Sequence, residues 1–358
     1  SGVATENVVI TVSGTNDGPV AVAGVNTVVE DGGVITGTLS ASDIDGDALS
    51  FSLNTGPSEG SVVVNADGSY SFDPGSAFQD LAVGETRDVS FSYDVSDGNG
   101  GVATENVVIT VSGTNDGPVA VAGVNTAVED GGVVTGTLSA SDIDGDALSF
   151  SLNTGPSEGS VVVNADGSYS FDPGSSFQDL GVGESRDVSF SYDVSDGNGG
   201  VATENVVITV SGTNDGPVAV AGVNTAVEDG GVVTGTLSAS DIDGDALSFS
   251  LNTGPSEGSV VVNADGSYSF DPGSAFQDLG VGENRDVSFS YDVSDGNGGV
   301  ATENVVITVS GSNDGPVAVS GVNTAVEDGG VVTGTLSASD IDGDTLSYSL
   351  NTGPSEGS

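Results

Sequence analysis

The sequence predicts an all-β chain of repeated two-sheet sandwiches, and three observations carry that expectation. Apolar and polar residues alternate: Val89, Phe91, Tyr93 and Val95 are interleaved with Ser90, Ser92, Asp94 and Ser96. That is the period of a strand with one buried and one wet face. The stretch "GVATENVVITVSGTNDGPVA" begins at Gly2, Gly101 and Gly200, and returns at Gly299 with one Thr replaced by Ser, a spacing of 99 residues. Between the alternating runs lie clusters of Asn, Asp, Gly and Pro, which favour turns and linkers.

In chain order the first whole unit reads as seven strands, at roughly 20–29, 34–41, 48–54, 61–65, 69–73, 86–96 and 102–113. Leu49, Phe51 and Leu53 alternate in the third. "SVVVNADGSYSF" is a hairpin around Asp67-Gly68, with Val62 and Val64 opposite Tyr70 and Phe72. "SAFQDL" (76–81) is a short plug with Phe78 and Leu81 turned inward. This pattern predicts a seven-stranded immunoglobulin-like sandwich, repeated in tandem as a linear array. With "GTNDGP" as the boundary, residues 1–16 are the last strand of a preceding repeat. Whole repeats follow at 17–115, 116–214 and 215–313, and residues 314–358 form the N-terminal half of a further one.

Composition narrows the function. Fifty-three acidic side chains against three Arg, with no Lys or His, give a formal charge of −50 over 358 residues. A disordered acidic segment would lack apolar content, whereas 36% of this chain is apolar and alternates. Nucleic acid is excluded as a partner and direct membrane insertion is not expected; cations are the natural small partners. With neither His nor Cys, Ser–His and Cys–His catalysis and thiolate metal sites are impossible. Paired carboxylates remain, but they sit at linkers with no evident cleft, so the chain reads as a non-enzyme. The three Arg (Arg87, Arg186, Arg285) read as partners of nearby carboxylates.

Strand alternation sorts the loops to two ends of each sandwich. The top of the second repeat collects Asn115, Asp116, Asp142, Asp144, Asp146, the Asp166 turn and Asp196. The base of the first collects Glu30, Asp31, Glu59 and Glu85. Both groups meet at the linker 115–118. Two like charges 4 Å apart cost roughly 4 kcal/mol at an effective dielectric of about 20, so a bare cluster should splay. Calcium, which takes six to eight oxygen ligands, fits the set. An EF-hand does not: in "DIDGDALSFSLN" the Gly is fourth, the twelfth position is Asn54, and the flanks are strand-like.

These residues resemble a known family. "ASDIDGDALSFSL" is similar to the A-x-D-x-D segment of cadherin repeats, and "VSDGNGGVATENVVITVSGTNDGPVA" to their D-x-G and D-x-N-D-N endings. "YSFDPGSAFQDLAVGE" and "YDVSDGNGG" look like the VCBS and cadherin-like repeats of bacterial RTX-type adhesin extender regions. The resemblance implies a calcium-rigidified sandwich with ligands Asn16, Asp17, Asp43, Asp45, Asp97, Glu30 and, in place of an absent L-D-R-E, Glu85. The same positions recur at Asn115, Asp116, Asp142, Asp144, Asp196, Glu129 and Glu184, at Asn214, Asp215, Asp241, Asp243, Asp295, Glu228 and Glu283, and at Asn313, Asp314, Asp340 and Asp342. Gly14 and Gly18 stand where cadherins carry Asp and Asn, which implies one or two ions per junction rather than three. The expected role is an extender at the bacterial cell surface, projecting distal binding domains, with neighbouring repeats as partners through calcium. Lateral self-association in a filament or surface layer, and glycan binding, are the alternative readings.

Overall fold

The computed structural model describes residues 1–355. They form two compact units, one of Ser1–Asn125, Val133–Asp172 and Val188–Ile208, the other of Thr126–Gly132, Pro173–Asp187 and the residues from Thr209 onward. The boundary runs through the second repeat, so each junction between successive repeats lies inside a single unit.

In the first unit, the first repeat contains β1 (Val20–Val22), β2 (Gly24–Val29), β3 (Ile35–Thr38), β4 (Ser40–Ser42), β5 (Ser50–Thr55), β6 (Ser61–Val64), β7 (Ser69–Asp73), β8 (Thr86–Ser96) and β9 (Val102–Ser112), with a 3₁₀ turn at Glu30–Gly32. No α-helix occurs among the described residues, and no helix is long and apolar enough to cross a membrane. One sheet has the order β2-β9-β8-β5, a second β3-β7-β6, and β1 pairs with β4 alone. β8 and β9 are antiparallel from Thr86↔Ser112 to Ser96↔Val102, whereas β2 runs parallel to β9 from Gly24↔Val107 to Val29↔Ser112.

The first two strands expected from the sequence are therefore each broken in two, because the chain changes sheets part-way. β1 spends its hydrogen bonds on β4, and after Ala23 the chain crosses to β9. Buried Tyr93 closes the break: its hydroxyl donates to the Val22 carbonyl at 2.6 Å and accepts from the Val22 N–H at 3.2 Å. At the second break the Leu39 N–H goes instead to the Gly68 carbonyl, 2.8 Å.

The core matches the alternation. Val89, Phe91, Tyr93 and Val95 of β8 pack with Val107, Ile109 and Val111 of β9, Tyr70 and Phe72 of β7, and the plug residues Phe78 and Leu81. In the hairpin Val62 lies opposite Phe72 and Val64 opposite Tyr70; Gly68, at φ +85°, takes the left-handed turn conformation that a side chain disfavours. Leu53 departs from its expected inward place and is 39% exposed. It lies opposite Tyr93 in the same register as Phe51 opposite Val95, but toward the end of β5, where Ser52, Asn54 and Thr55 are exposed as well.

In the second unit, the third repeat has the same sheet orders, with strands Val218–Val220, Gly222–Val227, Val233–Thr236, Ser238–Ser240, Ser248–Thr253, Ser259–Val262, Ser267–Asp271, Asn284–Ser294 and Val300–Ser310. Its core repeats that of the first, from Phe270 and Phe276 to Val309. Residues 1–19 form no strand, and Val8, Val9, Ile10 and Val12 are exposed. Their sequence is that of β9, which is a strand only where β8 and β2 flank it. Likewise Val317–Val319 pairs with Ser337–Ser339, but Leu336, the counterpart of buried Leu39, is 70% exposed: front strands alone bury little.

Candidate metal centre

At the first junction the linker runs from the end of β9 through Gly113, Thr114, Asn115, Asp116, Gly117 and Pro118. Gly113 starts it flush against the plug of the first repeat. A Cβ there would fall on the Leu81 carbonyl oxygen, so this position admits no side chain and no aspartate.

From the first repeat, the turn after β2 presents Glu30, which is 2% exposed. Its Oε1 accepts from the Thr114 N–H at 2.7 Å and the Thr114 hydroxyl at 3.0 Å. The same hydroxyl lies 3.1 Å from Asp31 Oδ2, and Asp31 Oδ1 accepts from the Gln79 amide at 3.0 Å. From the second repeat, Asp144 Oδ2 accepts from the Asp116 N–H at 2.8 Å. Asp142 Oδ1 accepts from the Asp146 N–H at 3.3 Å. Asp196, also buried, takes the Asn115 amide at 2.9 Å on Oδ2 and the N–H groups of Asn198, Gly199 and Gly200 on Oδ1.

Five of these groups leave a side-chain oxygen bare. Glu30 Oε2, Asn115 Oδ1, Asp116 Oδ2, Asp142 Oδ2 and Asp144 Oδ1 are all buried without a hydrogen-bond partner. The second junction leaves the same five atoms, on Glu129, Asn214, Asp215, Asp241 and Asp243; the third leaves Glu228 Oε2, Asp314 Oδ2 and Asp342 Oδ1. Buried polar atoms are normally paired, and unpaired carboxylate oxygens repel one another. The stress registers on Asp116, whose carboxyl is raised above its ordinary 3.8, first by burial and then by the charges of Asp31, Asp144, Glu30 and Asp142. Asp215 and Asp314 are raised for the same reasons. Asp97, Asp196 and Asp295 are lowered instead, chiefly by hydrogen bonds from Asn16, Asn115 and Asn214.

A donor set made wholly of carboxylate and amide oxygens fits a hard cation of the calcium type and offers nothing to soft metals. Three carboxylates converge to within 4.8 Å in each cluster: Asp142, Asp144 and Asp146; Asp43, Asp47 and Asp97; Asp241, Asp245 and Asp295; Asp340, Asp342 and Asp344. Ahead of the first repeat, Asn16 reaches Asp97 at 2.8 Å and Asp17 N–H reaches Asp45 at 2.7 Å. There Asn16 and Asp17 are exposed, and of that set only Asp43 Oδ2 is buried and bare.

Some expected members stand apart. Glu85, Glu184 and Glu283 have exposed side chains, and each instead accepts the linker Gly N–H on its backbone carbonyl. Glu59 pairs with Arg87, which also forks onto Asp80 and lies over the Phe78 ring. Asp166 accepts from Ser168 inside its own hairpin. The local reading passed over Thr114 and Gln79; it placed Asp146 at the junction but left it and its counterparts Asp47, Asp245 and Asp344 out of the ligand set, whereas they are members of the clusters. Asp47, Asp146 and Asp245 accept the amides of Asn99, Asn198 and Asn297, and their alternate spacing with the other two acids was the available signal.

Among family models, the bacterial cadherin-like domain matches residues 16–113, 115–212 and 214–311. Solved structures similar in fold include the protocadherin gammaB4 extracellular domain, at 14% identity and TM-score 0.59, covering 92% of this chain and 57% of that one. The chain thus spans little more than half the length of that structure. Mouse cadherin-23 EC22-24 aligns at 16% identity and TM-score 0.57, covering 83% of this chain and 99% of its own. The protocadherin gammaB7 EC3-6 cis-dimer structure gives 15% identity and TM-score 0.57, with 91% and 84% covered. A search of the curated proteins gives no match.

Proposed function

The chain belongs to the bacterial cadherin-like domain family, and from that premise we propose that it is an extracellular spacer whose repeats calcium stiffens at their junctions. The observation that carries the reading is the set of five buried oxygens without a donor, on Glu30, Asn115, Asp116, Asp142 and Asp144. They come from two successive repeats and the linker between them. Glu30 would bring the preceding repeat, Asn115 and Asp116 the linker, and Asp142 and Asp144 the following repeat. Bound calcium would supply the positive charge that these oxygens lack.

The protein's own groups prepare the site. The Asp116 N–H holds Asp144, the Asn115 amide holds Asp196, and the linker N–H of Thr114 holds Glu30. A ligand that binds only the ordered junction stabilises it by about 2.7 kcal/mol at a hundredfold excess over its Kd. Such a chain is loose in low calcium and stiff outside the cell, which suits an extender of a large secreted bacterial adhesin. Repeats of this family are structural, and a spacer requires no catalysis.

Thermal melting and small-angle scattering of the chain in Ca²⁺ and in chelator test the reading. A higher melting temperature and a longer, stiffer particle in Ca²⁺ are expected. Curves that do not move, or equal effects from Mg²⁺ at the same concentration, refute it.

A further inference from the structure

Resting on that calcium reading, we propose that the linker hydroxyl of Thr114, and of its counterparts Thr213 and Ser312, is a positioning group that presents the preceding repeat's glutamate to the junction. A glutamate side chain has three torsions, and an uncompensated buried one would turn toward water. Glu30 is nevertheless 2% exposed. Two donors from one residue, the N–H at 2.7 Å and the hydroxyl at 3.0 Å, hold its Oε1. With Oε1 occupied, Oε2 is the oxygen left without a partner. The same hydroxyl lies 3.1 Å from Asp31 Oδ2, whose other oxygen takes the Gln79 amide at 3.0 Å. The hydroxyl therefore sits between the two acids of one turn, and its one proton serves Glu30 while the Gln79 amide holds Asp31.

The arrangement recurs. Thr213 donates to Glu129 and lies 3.1 Å from Asp130, which takes the Gln178 amide. At the third junction the residue is Ser312, yet its N–H and hydroxyl reach Glu228 at 2.6 and 3.2 Å and the hydroxyl lies 3.1 Å from Asp229. The hydroxyl contacts are kept there without the methyl. Residues that orient a metal ligand from behind commonly change metal affinity when removed, although they never touch the ion.

The test compares three full-length chains by calorimetric titration with CaCl₂, each also melted in chelator: wild type, Thr114→Val with Thr213→Val and Ser312→Val, and Thr114→Ser with Thr213→Ser. Valine keeps the shape of threonine and the backbone N–H bond and replaces the hydroxyl by a methyl; at Ser312 it also adds the methyl that Thr114 and Thr213 already carry. Calcium affinity about tenfold weaker in the Val chain, with the Ser chain at the wild-type value and all three melting together in chelator, is the expected result. Wild-type affinity in the Val chain overturns the proposal. So does an equal loss in the Ser and Val chains, or a Val chain destabilised as much in chelator as in calcium, which is a structural role. A wild-type chain that takes up no calcium removes the calcium reading and this inference together; one that binds while the Val chain is unaffected removes the inference alone.

Discussion

Replacing Asp144 and Asp243 together by Asn should stabilise the chain in chelator and destabilise it in calcium. Each residue has Oδ2 bonded to a linker N–H, Asp116 and Asp215 respectively, at 2.8 Å, and Oδ1 buried without a partner. Asparagine can keep the first bond through its carbonyl oxygen, but it then turns an NH₂ group to the bare position. Without a cation, one negative charge leaves each junction: Asp144 shares a cluster with Asp142 and Asp146 whose ligand atoms lie within 4.8 Å of one another, and Asp243 is one of the charges that raise Asp215. Allowing for solvent screening, the relief is about 1 kcal/mol per junction.

With calcium, one charged ligand is lost. If the Kd rises about a hundredfold, the stabilisation at a calcium concentration of about 100 times the original Kd falls from about 2.7 to about 0.4 kcal/mol. For repeats of this size a loss of about 2 kcal/mol lowers Tm by roughly 10 °C. Differential scanning calorimetry of both chains, in chelator and at that fixed calcium concentration, reads the two signs directly. A loss of Tm in both conditions shows that Asp144 and Asp243 are structural acceptors and nothing more. A gain in both refutes a ligand role.

Three further outcomes follow from the same geometry. Tyr93→Phe removes the hydroxyl that seals the break between β1 and β2 and should cost about 1 kcal/mol, read as an earlier urea midpoint; an unchanged midpoint means that Val22 finds other partners. Asp80 is held below its ordinary 3.8, chiefly by its hydrogen bond from Arg87. A lowered carboxyl gives its full stabilisation above the unfolded pKa and loses it as pH falls through the folded one. Arg87→Ala should therefore flatten the part of the acid denaturation curve below about pH 4, and an unaltered curve contradicts the pairing. Gly113→Ala places a Cβ on the Leu81 carbonyl and should cost roughly 1–3 kcal/mol, whereas Gly56→Ala, with nothing within 4 Å of its Cβ, should be nearly neutral by thermal melting.

Much of the fold could be read locally. Alternation along 89–95 marks the buried face because successive strand residues point to opposite sides, and Asp67-Gly68 marks its own turn. The switch of sheets at Ala23 could not be read this way. "VAVAGVNTVV" has strand-forming residues on both sides of the break, and only the separate demands of β4 and β9 for partners divide it. The exposure of Leu53 could not be read either, since alternation gives the face a residue points to and not what covers that face.

The sequence by itself determined the period of 99 residues, the β class, and the gathering of acids at the ends of each repeat, since these depend on residue type and spacing alone. The tertiary structure decided which oxygens are tied and which are bare. Thr114 meets Glu30 across 84 residues of chain and Asn115 meets Asp196 across 81. Glu85, a glutamate like Glu30 and also at the base of its repeat, keeps its side chain in solvent. A carboxylate's role depends on the donors that folding places beside it, and the pattern of a single strand does not record where those donors come from.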